Sequence, residues 1–432
     1  MPTILGFAAL FLLATDALNI DLSLLPGVSA KNIIIYFIAM VLALRMVVSR
    51  GSIMVAGHMQ GAFIVQIGYA IVTWLVAALL IQYPYYDLVA SGIKLKTGLI
   101  DHYIFFLVFL FGVRTADDGL RVIKGLLYGA LLANVITILD AFGIISLGFR
   151  IREDGRTAGA IGESNQYAAF IILFLPGTIA AAVAAHGLRR LFWFGASLVA
   201  CMTLVMTASR GGFVGLAMMC AVGAYLYRHL ISYSRISGWV FGSLILLVLI
   251  VSFSHYGNLL AERMIGTGSI DASTASSGRS DIWATALGAM VAHPITFITG
   301  FGWDAYAYMP FHFSPHNHYL ALWFNLGLVG LFFGSYLLFS AIGRARRASL
   351  LAAPPLRGQL IAFVLGTVGV ATAIFFVDLH KPWFYFWMYG GVVMRMVLCA
   401  EQAPVTQEVA PRLKRPAVRR DPYGWANPGT RP

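Results

Sequence analysis

The feature that most constrains this chain is a succession of long apolar runs, each ended by a polar break. Along the 432 residues they give twelve candidate spans, at about 4–18, 31–48, 62–81, 99–113, 121–145, 166–185, 191–207, 213–230, 238–254, 318–340, 359–377 and 383–399. Runs of this length suit helices crossing a hydrocarbon layer, which need roughly 20 residues each. The short alternating segments of a membrane β-barrel do not match them. Composition agrees, with 59% hydrophobic and 11% charged residues, against about 25% charged in ordinary soluble domains. A soluble globule of this length has no means of covering so much apolar surface. Disordered chains, collagens and small disulfide scaffolds are excluded on the same grounds. The expected fold is an all-α integral membrane protein with about 12 transmembrane helices and one long outer loop, 255–317.

The basic residues test that span count. With the N-terminus in the cytoplasm, 20 of the 30 Lys and Arg fall on inward segments or the tail, as the positive-inside rule requires. Both termini are thus expected in the cytoplasm. The net charge of +12 follows from this topology, and no nucleic-acid motif accompanies it. Residues 1–400 read as one polytopic domain, and 401–432 as a disordered, basic, proline-rich tail. The N-terminal apolar run lacks the basic flank and cleavage site of a signal peptide, so it reads as the first span. Cys201, Cys220 and Cys399 lie in apolar stretches without C-x-x-C or metal-ligand spacing.

With topology accounted for, the remaining polar residues gather on the outer side. One connection contains Arg156 and runs to Glu163-Ser164-Asn165. Ala208-Ser-Arg-Gly-Gly212 joins two spans so tightly that Arg210 stands at the membrane boundary, where a cation escapes much of the insertion cost. In the long loop, Ser280 to Val291 reads as an amphipathic helix with Ile282, Trp283, Leu287 and Met290 on its apolar stripe and Ser280 or Asp281 as N-cap. Arg279 at its start adds to the positive helix end and favours an anionic ligand. Taken singly, Arg210 also fits a boundary arginine and Arg279 a solvated loop cation. The run His312-Phe-Ser-Pro-His-Asn-His318 fits no familiar zinc spacing. A single histidine there suits a general base, with Asn317 orienting the ring or a substrate hydroxyl; an interfacial His/Asn belt is the plainer alternative.

In order, Arg156-Thr-Ala-Gly159 with Asn165, Ser209-Arg210-Gly211, Gly278-Arg279 with Trp283, Gly300-Phe-Gly302, and His316-Asn317 followed by Gly327 and Gly330 resemble the bacterial O-antigen ligase and O-antigen/exopolysaccharide polymerase family. The resemblance implies a GT-C-like, metal-independent glycosyltransferase of the inner membrane, without a cofactor and with its active site facing the periplasm. Its donor would be a glycan on undecaprenyl diphosphate. Its acceptor would be a lipid-linked repeat unit in a polymerase, the leading expectation, or lipid A–core in a ligase. Membrane lipid, a chain-length regulator and a flippase would be its other partners. Carried over by motif, His316 is the base, Arg210 and Arg279 hold the diphosphate, and Arg156 and Asn165 belong to a substrate-binding motif. His318, two residues on, is a second histidine beside the first. A lipid-linked sugar transporter is the reading from another class, and it calls for unpaired ionisable groups near midplane, where Asp101 and Asp140 are the candidates.

Overall fold

A computed structural model describes residues 1–49, 56–147, 155–228, 259, 278–309 and 315–402. The expected span at 238–254, the proposed tail beyond 402 and His312 lie outside the described residues. Within them the first compact unit, Met1–Glu401, is almost wholly helical. The helices are α1 (Pro2–Ala17), α2 (Ala30–Ser49), α3 (His58–Leu75), α4 (Leu88–Leu95), α5 (Asp101–Gly112), α6 (Ala116–Ala141), α7 (Ser164–Ala184), α8 (Gly187–Met206), α9 (Arg210–Tyr227), α10 (Arg279–Ala292), α11 (Thr296–Thr299), α12 (His318–Leu351), α13 (Leu356–Ala373) and α14 (Lys381–Gln402). Among the described residues, ten helical stretches are long and apolar enough to cross a membrane. The chain is an all-α integral membrane protein.

One span is longer than its apolar core suggests. The stretch Leu88–Gly112 joins α4 to α5 through a π-helical turn at Lys96–Ile100, whereas hydropathy begins the span near 99. The charges that hide its first half are satisfied in place. Asp101 accepts from Asn32 at 2.7 Å, pairs with Lys96 at 3.0 Å, and takes the Tyr36 hydroxyl. Asp140 accepts the Leu147 amide at 2.7 Å. Both carboxylates named in the transporter reading therefore have partners.

Lipid tails give helices little hydrophobic reason to associate, so close packing through small residues has to do it. A Cβ on Gly125 of α6 would sit 2.6 Å from the Gly6 carbonyl of α1, and one on Gly215 of α9 would sit 2.7 Å from the Gly369 carbonyl of α13. α7 and α14 are the most enclosed of the spans. Around them, Tyr167, Phe170, Phe363, Phe386 and Tyr389 form the aromatic centre of the main core.

The described part of the long loop docks onto α12. Helix α12 is broken at Gly327 (φ 63°, ψ −164°), which frees carbonyls of the preceding turn. The Phe301 amide reaches the Phe324 carbonyl and the Gly302 amide the Asn325 carbonyl, each at 2.9 Å. On its other side, the carbonyls of Thr299, Phe301 and Trp303 accept the hydroxyls of Tyr69, Tyr83 and Tyr86. Burial holds the Tyr83 and Tyr86 hydroxyls up at about 12, so they stay protonated donors. The two amides answer carbonyls of the broken helix, and the three hydroxyls answer carbonyls of the docked loop.

Candidate functional site

The starts of α7, α9, α12 and α14 meet at one end of the bundle, and polar side chains cap the first three. Glu163 caps α7, accepting from the amides of Asn165 at 3.1 Å and Gln166 at 2.6 Å. Ser209 caps α9, taking the Gly212 amide at 3.2 Å. Asn317 caps α12, taking the Leu320 amide at 3.0 Å. The sequence offers Asn317 as a substrate group; its Oδ1 is engaged by the helix it begins.

Arg156 is 5% exposed, which is costly for a cation unless its N–H groups are answered. Its Nε donates to the Thr207 carbonyl at 2.8 Å and its Nη2 to Asn165 Oδ1 at 3.0 Å. The same oxygen accepts the Ser209 hydroxyl at 2.9 Å. Arg156, Asn165 and the turn that delivers Arg210 thus form one knot, reinforced by Thr157 N–H on the Met206 carbonyl. Arg210 follows Ser209 as the first residue of α9, and Arg279 follows Gly278 as the first residue of α10. The cap of α10 is Gly278 at φ 77°, not Ser280 or Asp281. Ala286 and Met290 form its buried stripe with Ile282, Trp283 and Ala289 beside them, while Leu287 is exposed.

The histidine segment is fixed from three directions. Trp283, one turn beyond Arg279, donates its indole N–H to the Pro315 carbonyl at 2.7 Å. The His318 amide donates to the Ile374 carbonyl at 2.9 Å, and His318 Nδ1 bonds Asp378 Oδ1 at 2.8 Å. The His380 amide donates to the Gln166 side chain at 3.0 Å, returning to the start of α7. His316 is exposed and holds φ 47°, a left-handed backbone that a residue with a Cβ adopts at a cost of about 1–2 kcal/mol. Such strain persists where surrounding structure enforces it, and it concentrates at active sites. Burial would raise the Asp378 carboxyl; the bond from His318 and the charges of His318, His380 and His316 outweigh it and hold the group below the usual carboxylate value.

Asp378, His380, Gln166 and Glu163 are absent from the residues picked out by motif. Only the polar run Asp378-Leu-His-Lys381 before a span could have drawn attention to the first two. Beside them, a cavity of about 270 Å³ opens among α5, α12 and α14, with His102, Asp304, His318, Asp378 and Trp383 in its wall. Burial lifts the Asp304 carboxyl above its ordinary value, against the pull of Lys94 at 2.8 Å. Among the described residues, no three His, Cys, Asp or Glu side chains are grouped to hold a metal ion.

Fold and site together define a polytopic membrane protein with a cationic, histidine-bearing polar end. Residues 195–334 match the family model described as O-antigen ligase, which supports reading the chain as a relative of that family. Arg210, Arg279 and His316 lie inside the matched stretch; Arg156 and Asn165 lie before it and are hydrogen-bonded into it. The match supports a glycosyltransferase-like enzyme of a bacterial membrane, engaged in glycan transfer in O-antigen biosynthesis. No curated protein matches the chain.

Proposed function

We propose that this end of the bundle faces the periplasm and transfers glycan from undecaprenyl diphosphate to an acceptor sugar hydroxyl, with inversion at the anomeric carbon. The observation that carries the reading is the placement of Arg210 and Arg279 at the first position of two helices. A cation there opposes the helix dipole, and a bound anion turns that opposition into attraction from both the arginine and the positive helix end. The leaving lipid diphosphate is such an anion, and its charge grows as the anomeric C–O bond breaks. Guanidinium groups in a partly dehydrated site stabilise it most when the transition state is reached. His316 takes the acceptor hydroxyl proton as the new glycosidic bond forms, a contribution of about 10²–10⁴-fold. Neither step calls on a metal. Arg156 and Asn165 hold the turn carrying Arg210.

The acceptor separates two reactions with this shared chemistry. The description of the matched family favours lipid A–core; a second lipid-linked repeat unit would make the enzyme a polymerase. Loss of a ligase strands full-length chains on the prenyl carrier, and loss of a polymerase leaves single repeats. The direct test is reconstitution with an undecaprenyl-diphosphate oligosaccharide and each acceptor. Transfer should vanish in His316→Ala, fall sharply in Arg210→Lys, which keeps charge but loses the planar fork, and survive excess EDTA. Near-normal turnover in His316→Ala would move the base to His318, whose bond to Asp378 already orients its ring; loss of transfer only in His318→Ala would establish it.

A further inference from the structure

We propose that the cavity between α5, α12 and α14 binds the terminal sugar of the acceptor; this rests on reading the protein as a glycan transferase. Two buried polar atoms in its wall have no hydrogen-bond partner among the described residues: Nε2 of His102, 3% exposed, and Nε1 of Trp383, 5% exposed. Buried polar groups are almost always paired, so two orphans in one wall ask for a polar occupant. The indole N–H can only donate, whereas the imidazole nitrogen donates or accepts according to its tautomer. A ligand carrying several hydroxyls serves either case.

The rest of the wall narrows the choice. Trp303, Trp383 and Trp387 offer flat apolar faces, and Gln66 and Asn325 bring planar amides among them. Apolar surface set with a few polar groups is the usual make-up of a small-molecule site, and it matches a pyranose, with its apolar faces and ring of hydroxyls. About 270 Å³ falls just under the roughly 300–1,000 Å³ of pockets for drug-sized ligands, which suits one monosaccharide.

Charge assigns the sugar to the acceptor and not to the donor diphosphate. Asp304 and Asp378 line the cavity together with Lys94 and Lys381, Lys94 being paired to Asp304 at 2.8 Å, while Arg156, Arg210 and Arg279 are not in its wall. A wall whose lysines are matched by carboxylates has no excess of positive charge to hold a diphosphate, and its carboxylates accept hydrogen bonds from hydroxyls. His318 lines the same wall, two residues beyond His316, so an acceptor seated there lies beside the histidine segment.

Transfer kinetics with donor and acceptor varied separately test the assignment. Trp383→Phe keeps a ring and removes the polar atom; His102→Phe does the same but also removes the ring's hydrogen bond to the Gly98 backbone. Each should raise the acceptor KM about tenfold, the loss expected of one buried hydrogen bond, with the donor KM at its wild-type value. Gly98 provides a blocking variant: it lines the cavity, and a Cβ there would meet only Trp303, at 3.8 Å. Gly98→Leu should abolish the saturation-transfer NMR signal of a delipidated core oligosaccharide or single repeat unit that binds the wild type. An unchanged acceptor KM in both ring variants, a rise in the donor KM instead, or equal glycan binding by Gly98→Leu would overturn the proposal. Glycan binding lost in Gly98→Leu, in a wild type that performs no transfer, would sink the transferase reading and leave the cavity a sugar site.

Discussion

Replacing Gly300 by Ala tests the docking of the loop on the break in α12. Gly300 holds φ 73° and ψ 175°, a backbone region that residues with a Cβ essentially avoid, and strain of this kind costs about 1–3 kcal/mol. The new methyl would also sit 2.3 Å from the Asn325 carbonyl oxygen and 2.5 Å from the Gly327 nitrogen. Both are backbone atoms, so no side chain can swing aside, and forced overpacking adds about 1–3 kcal/mol. The two costs give a loss of about 2–6 kcal/mol, before any weakening of the Phe301 and Gly302 hydrogen bonds. Thermal unfolding of the purified protein in detergent should show a lowered midpoint, and limited proteolysis should cut faster within 293–309. Gly288→Ala is the control. It lies in helix α10 with nothing within 4 Å of the added carbon, so it should gain up to about 1 kcal/mol from helix propensity. A Gly300→Ala protein that melts with the wild type would refute the clasp.

Arg156→Lys retains a charge but cannot span both the Thr207 carbonyl and Asn165 Oδ1; transfer should fall at least tenfold, with donor KM measured as the indicator, and an unaffected enzyme would show that the knot does not hold Arg210. The Asp378 carboxyl, held below its ordinary value of 3.8, contributes stability that is fully present above that value and is lost as pH falls through and below it. Asp378→Asn should therefore be less stable than wild type at neutral pH, with the difference shrinking on acidification below about pH 4; a difference that is constant or grows in acid would contradict the assigned pairing.

Much of the architecture follows from local pattern. A bilayer leaves each buried amide and carbonyl to be satisfied within its own helix, so a long apolar run has one outcome, and the starts of α7, α9, α12 and α14 fall within three residues of their hydropathy edges. Arg156, Asn165, Arg210, Arg279 and His316 stand out because polar residues in such a chain are few. What the sequence left open concerns pairings between distant segments. His318 meets Asp378 across 60 residues, Lys94 in its span meets Asp304 in the docked loop, and Gly300 fits Gly327 only because one helix breaks where another segment arrives. The extension of a span through charged Lys94 and Lys96 likewise became possible once Asp304 and Asp101 were there to receive them. No periodicity encodes such meetings: burial of a polar group is decided by its partner, and the partner is set by how the helices pack.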